Sequence, residues 1–416
     1  MTAAAADAPS ASERDRFPSG MAVAVLVIAV IVAALAVAAL ALRNRINIES
    51  DFQVYHLGAQ AVLHGVDPYD VATANGFLFT YPPFAAVIVA PLGLLGVNAG
   101  FAFWAFVSVP LLAASIWIML GQVDSGPRER RVRLTVAGTV LSLFTAPVLL
   151  HINLGQINIL LMLVTLADLV RRPGRTQGVG VGIAAGIKLT PLIYIAYFLI
   201  TGRIRAAVVS AATFAGTVLV GFAVMPGSSW QYWSKLVFDT GRIITPGAGP
   251  YVQSLRGQLA QLPGVLHANW FWAIVAIVVG LAGLALAARA HRQGLEPLGI
   301  IACTMTELLI SPISWPPHWV WVAPALTLWA WWALCQRSRA HALGLAVVWL
   351  LLVGSALLTF MIQWGTVSLS TAGLLVLNGL PPLIALAFLG VLAGVLRRTS
   401  TAQAAAESLP VPAAPA

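Results

Sequence analysis

Apolar blocks recur from Met21 almost to Leu396, separated by short segments rich in arginine or by turns rich in Pro and Gly. A helix needs ~20 apolar residues to cross a hydrocarbon core of about 30 Å. By that measure spans fall at 21–42, 98–120, 134–151, 153–170, 206–225, 269–290, 297–311, 319–334, 343–361 and 375–396, with a Gly-interrupted stretch at 176–202. The block at 21–42 is too long for a signal-peptide core and reads as an uncleaved anchor. The pattern predicts an all-α integral membrane protein, a polytopic bundle of about eleven or twelve transmembrane helices with further helices lying along one membrane face. One domain fills 19–398, and the Ala/Pro/Ser-rich ends 1–18 and 399–416 are expected to be disordered.

The polar segments between the blocks set the expected orientation. RERRVR at 128–133, RRPGR at 171–175, RIR at 203–205, RAHR at 289–292, RSR at 337–339 and the pair Arg397, Arg398 are basic, as cytoplasmic loops are. If these and both termini lie inside, 17 of the 21 arginines are cytoplasmic and only Arg43, Arg45, Arg242 and Arg256 lie outside. That parity requires 176–202 to be two half-helices with Lys188 near the outer turn, and 77–96 to stop short of crossing. Two long segments, 43–76 and 226–268, then face the outer (periplasmic) side.

Composition agrees with this reading. Of the 416 residues 59% are hydrophobic and 9% charged, with a mean hydropathy of +0.89, whereas soluble proteins carry about 25% charged residues. An ordinary soluble enzyme is excluded. The pI of about 10.2 reflects the inner arginines, so nucleic acid is not an expected partner. Cys303 and Cys335 cannot build a disulfide framework, and both sit in or beside apolar runs where a buried thiol is expected.

Of 14 acidic residues, the orientation leaves six near the outer face: Glu49, Asp51, Asp67, Asp70, Asp239 and Glu307. Asp51 opens DFQVYHLGAQAVLH and shares a helix face with Tyr55 one turn on; it is either a helix cap or a carboxylate base. Lys188, one of two lysines, interrupts GVGIAAGIKLTPLIYIAYFLI beside Pro191. An amine at membrane depth faces a cavity or partner unless it snorkels to the interface. Glu307 pairs with a buried cation or serves the site directly. His318 and Trp315 lie in SPISWPPHWVWV, whose tryptophans read as an interfacial aromatic belt, with the histidine a site residue or a donor to lipid headgroups. Gln156 and Asn158, in HINLGQIN, cap a helix or bond a sugar, and Arg256, in YVQSLRGQL, is a solvated residue or a phosphate clamp. There is no P-loop, no HExxH and no Cys/His cluster, so neither metal nor cofactor is expected.

Taken together, Asp51-x-x-x-Tyr55, Gly65-x-Asp67-Pro68-Tyr69, Tyr81-Pro82-Pro83, Gly155-Gln156-x-Asn158, Lys188-Leu189-Thr190-Pro191, Gln253-Ser254-Leu255-x-Gly257 and Ser311-Pro312-x-Ser314-Trp315-x-x-His318-Trp319 run in the order seen in integral-membrane GT-C mannosyltransferases. The chain most resembles the polyprenol-phosphate-mannose-dependent α-(1→2) mannosyltransferases of glycosyltransferase family 87, over roughly residues 45–320. The resemblance implies a GT-C-like bundle acting on the outer face. It implies polyprenyl-phosphate-mannose as donor and a lipid-linked mannoside, phosphatidylinositol mannoside or lipomannan, as acceptor. It also implies Asp51 as catalytic base and His318 in the donor site. Lys188, Arg256 and Tyr55 join His318 as donor-side residues, with Gln156, Asn158, Glu307 and Trp315 as acceptor or sugar contacts. Pro317 and Val252 depart from the pattern, standing where histidine and asparagine are usual. Two other readings stay open: a polyprenyl-phosphate arabinofuranosyltransferase, and a lipid or small-solute transporter, for which the chain lacks matching halves.

Overall fold

A computed structural model describes residues 51–242, 251–262 and 264–407. The expected anchor at 21–42, with Arg43, Arg45 and Glu49, lies outside the described residues, as does the segment 1–18. The described chain is helical, and its one β contact is an isolated antiparallel bridge between Ala72 and Leu78.

In chain order the helices are α1 Asp51–His64, α2 Pro83–Val89, α3 Val97–Leu120, α4 Arg128–Ser142, α5 Ala146–Leu154, α6 Asn158–Leu169, α7 Val179–Ile187, α8 Ile193–Ile200, α9 Ile204–Val224, α10 Pro226–Ser234, α11 Leu255–Leu259, α12 Asn269–Arg292, α13 Glu296–Ile310, α14 Val322–Cys335, α15 Arg339–Gln363 and α16 Thr371–Glu407. Among the described residues five, α3, α9, α12, α15 and α16, are long and apolar enough to cross a membrane unaided. Taken together, α4 and α5 pass the same test but are bent by 71° between them, as in a broken span or a re-entrant loop. The remaining expected spans are shorter: α6 has 12 residues, α13 has 15 and α14 has 14. Their ends are set by chain breakers, Gly155 before α6 and the Ser311-Pro312 and Pro316-Pro317 turns between α13 and α14. The stretch at 77–96 folds as α2 followed by a 3-10 turn, together only Pro83–Leu94.

The stretch at 176–202 is two half-helices, α7 and α8, separated by an extended Lys188 and a 3-10 turn at Thr190–Leu192. Two features force this shape. Asp168 at the end of α6 accepts from the Gly178 N–H at 2.9 Å and the Val181 N–H at 3.0 Å, so a carboxylate from another helix caps the first turn of α7. Gly182 and Gly186 then face α9 so closely that a Cβ at Gly186 would lie 2.2 Å from Thr217 Oγ1. Small residues four apart permit this backbone approach.

At the end carrying the basic loops, Arg203 pairs with Glu296 at 3.0 Å, and Glu296 also contacts His291. This group ties the start of α9 to α12 and α13. Asp124 contacts Arg130 in the turn before α4. Two features depart from the expectations. Cys303 is buried but Cys335 is exposed. The last helix continues to Glu407, through residues expected to be disordered from 399, because TAQAAAE is composed largely of strong helix formers. Residues 408–416 lie outside the described residues.

Candidate active site

The site forms where α1, the α5–α6 turn, the break in the half-helix pair and the turn after α13 converge. Gly155 makes this possible. It ends α5 with φ of +66°, and a Cβ there would lie 2.6 Å from that of Phe52. Only glycine combines the left-handed conformation with that contact. The α5–α6 turn therefore lies directly on α1 and brings Gln156 to Asp51.

From there a polar chain runs in one direction. Lys188 Nζ donates to Asn158 Oδ1 at 2.9 Å, Asn158 Nδ2 donates to Gln156 Oε1 at 3.2 Å, and Gln156 Nε2 donates to the Asp51 carboxylate. Each amide presents its oxygen toward the cation and its nitrogen toward the carboxylate. Such aligned bonds polarise one another. Tyr55 Oη donates to Gln156 Oε1 at 3.2 Å and lies 2.8 Å from Tyr81 Oη. The Lys188 ammonium stands 5.7 Å from the Tyr81 ring.

The cationic end is shared with His318. Lys188 Nζ lies 2.8 Å from His318 Nε2, while the Trp315 N–H lies 3.3 Å from Nδ1. The Trp315 N–H can only donate, so Nδ1 accepts from it, and the role of Nε2 toward Lys188 follows from the tautomer. Asn158 Nδ2 also donates to the Pro317 carbonyl at 3.1 Å, fixing the turn that holds His318.

Asp51 is half-buried at the start of α1. Burial pushes its carboxyl above the usual carboxylate range, and the Gln156 bond and the Lys188 charge pull it back down. Its carboxylate is thus held by a residue 105 positions away, not by the N–H groups of its own helix.

Glu307 lies on the wall of a cavity that also includes Asn158 and His318. It makes no ion pair among the described residues, so pairing with Lys188 is not seen. Arg256 stands elsewhere: Nη2 lies 3.4 Å from Asn269 Oδ1, and the guanidinium lies 5.2 Å from the Trp272 ring centre. Trp315 joins the site through its backbone.

Two members were not singled out as site residues from sequence. Tyr81 is held against Tyr55, and its place in Tyr81-Pro82-Pro83 was the available signal. His151 is 1% exposed with neither ring nitrogen hydrogen-bonded among the described residues, on α5, which packs against the His318 turn. A histidine inside an apolar run, five residues before Gln156, was its only mark in the sequence.

The model of glycosyltransferase family 87 matches residues 79–312. A Mycobacterium tuberculosis polyprenol-phosphate-mannose-dependent α-(1-2)-phosphatidylinositol mannoside mannosyltransferase is 31% identical over 294 residues, 66% of this chain and 69% of that protein. The Mycolicibacterium smegmatis protein of the same description is 32% identical, over 74% of this chain and 77% of its own. A second M. smegmatis protein, described as a phosphatidylinositol pentamannoside mannosyltransferase of the same donor dependence, is 35% identical, over 67% and 68%. No solved structure matches significantly. The family match covers more than half of the chain and sets the transporter reading aside: this membrane protein belongs to glycosyltransferase family 87.

Proposed function

We propose that the protein transfers mannose from a polyprenyl phosphate carrier to a lipid-linked mannoside of the phosphatidylinositol mannoside or lipomannan kind. On this reading it acts at the outer face, with inversion and without a metal. The observation that carries the reaction is the chain from Lys188 through Asn158 and Gln156 to Asp51, which sets a carboxylate base and a cation at opposite ends of one rigid polar path.

The two ends serve the two halves of a single displacement. Asp51 takes the proton of the acceptor hydroxyl as its oxygen bonds to the anomeric carbon. The bond from that carbon to the phosphate oxygen breaks, and the carrier phosphate leaves with the electron pair. Phosphate needs no proton to leave, so one carboxylate suffices where a glycosidase uses two. Lys188 meets the growing charge in a site largely shielded from water. His318, bonded to Lys188, steadies the ammonium, while Gln156 and Asn158 are positioning residues whose amides are committed to the chain. Arg256 is assigned to the donor's approach, and Trp315 to the sugar side.

The test is purified protein with radiolabelled polyprenyl-phosphate-mannose and short mannoside acceptors, with and without a chelator. Transfer giving an α-linked product, unaffected by chelation, is expected. Transfer only from the arabinofuranose-bearing carrier would replace the donor assignment.

A further inference from the structure

Tyr81 has no part in the displacement just described, yet the fold holds it rigidly beside the base. Its main chain is fixed first: Tyr69 Oη donates to the Tyr81 carbonyl at 2.8 Å, and Pro82 and Pro83 stiffen the chain that follows. Its ring then packs with its centre 5.0 Å from that of Tyr55 and 5.7 Å from that of Phe79. Tyr55 and Phe79 are buried, whereas Tyr81 is only half-buried. It is therefore the member of this group that a substrate can reach.

The hydroxyl of Tyr81 belongs to the Asp51 end of the polar path. Gln156 turns its nitrogen to Asp51 and its oxygen to Tyr55, so the base and the phenol meet neighbouring atoms of one amide. Tyr81 Oη lies 2.8 Å from Tyr55 Oη, and the Gln156 side chain is near enough to bond it as well. Burial and, after it, the Asp51 charge push the Tyr81 phenol above its ordinary value, so it remains a neutral hydroxyl.

A phenol has one proton to give and two lone pairs to receive. With Tyr55 and Gln156 as its neighbours, Tyr81 Oη keeps one of these three positions open. If Tyr81 donates to Tyr55 the open position is a lone pair; if Tyr55 donates to Tyr81 it is the proton. A sugar hydroxyl, which both donates and accepts, fits either arrangement. Sugars carry hydroxyls on adjacent carbons, so a ring that gives one hydroxyl to Asp51 presents the next within a few ångströms of it. A second contact at that point fixes the orientation in which the first meets the base.

We infer that Tyr81 binds the acceptor hydroxyl adjacent to the one that is glycosylated, and so orients the acceptor ring on Asp51. The inference rests on the glycosyl transfer proposed above and adds a residue that recognises the acceptor. In the α-(1-2) linkage of the relatives' descriptions that adjacent group is the 3-hydroxyl, because carbon 1 of the accepting sugar is already glycosidic.

The experiment compares wild type and Tyr81→Phe, purified in detergent, on a short mannoside acceptor and on its 3-deoxy analogue, with labelled polyprenyl-phosphate-mannose as donor. Loss of one neutral hydrogen bond should lower wild-type kcat/KM about 3–10-fold on the 3-deoxy acceptor. Tyr81→Phe should show a similar loss on the parent acceptor and then treat the two acceptors alike, to less than about twofold. Its KM for the donor should stay within about twofold of wild type, which a general loosening of the site would not allow. A wild type indifferent to the 3-hydroxyl, or a Tyr81→Phe that discriminates as wild type does, overturns the inference. A folded Tyr81→Phe that transfers to neither acceptor also overturns it, since one lost hydrogen bond does not abolish transfer. If Tyr81→Phe does not fold, Tyr81→Leu, which also lacks the hydroxyl, decides by the same comparison. A wild type that transfers no sugar to the parent acceptor fails the proposed function itself, whereas failure of the Tyr81 assignment leaves wild-type transfer intact.

Discussion

Replacing Asp51 by Asn removes one proton acceptor and little else. Gln156 Nε2 can still donate to the amide oxygen at position 51, and Tyr55 and Asn158 keep their bonds to Gln156. A negative charge is lost from the first turn of α1, which costs about 0.3–1 kcal/mol of helix stability. The protein should fold, bind the donor and fail at chemistry, with kcat for mannosyl transfer down ~10²–10⁴-fold. The assay is single-turnover transfer from labelled donor, with donor binding and thermal stability measured on the same preparation. A capping role predicts the opposite result, because asparagine caps a helix about as well as aspartate. Near-normal transfer by the Asn variant would refute the assignment and send the search for the base to Glu307 or Asp67.

Further outcomes follow from the same geometry. Because a base works deprotonated and burial raises the Asp51 carboxyl, kcat/KM should fall as pH falls through a point above the ordinary aspartate value. Gln156→Leu, which removes a bond that lowers that carboxyl, should move this acid limb to still higher pH; an unmoved limb would show that it belongs to another group. Lys188→Arg should retain part of the activity and Lys188→Met almost none, with weaker donor binding in the latter, since the requirement is for positive charge; full turnover by the Met variant would reduce Lys188 to a structural role. In a Cys335→Ser background, an impermeant thiol reagent should label Asn75→Cys but not Ser125→Cys in intact cells, both positions being exposed; labelling at 125 would invert the orientation. Gly155→Ala forces a side chain into the left-handed region at about 1–2 kcal/mol and against Phe52, so it should lower both thermal stability and kcat.

The sequence by itself determined the class of protein and much of its plan. Hydropathy reports directly on which segments can lie in lipid, so the ends of α3, α9, α12 and α15 fall within a few residues of the apolar blocks. The break at Lys188 was also legible, because an amine followed by Thr-Pro cannot continue an apolar helix. Span length was less legible: α6, α13 and α14 are shorter than the blocks that contain them, since apolar composition does not show where proline and glycine turn the chain. What only the tertiary structure decided is the company the polar residues keep. Gln156 and Asn158 looked equally suited to capping a helix or holding a sugar, yet their amides link Lys188 to Asp51. Glu307 looked equally suited to pairing with a buried cation or to serving the site, and it lines the cavity beside Asn158 and His318 with no ion pair among the described residues. Arg256 read as a solvated residue or a phosphate clamp, and it lies against Asn269 and Trp272. The physical reason is that local pattern encodes burial, which each residue carries individually. A hydrogen bond between positions 51 and 156 depends instead on how close two helices come, and here that distance is set by one glycine without a side chain.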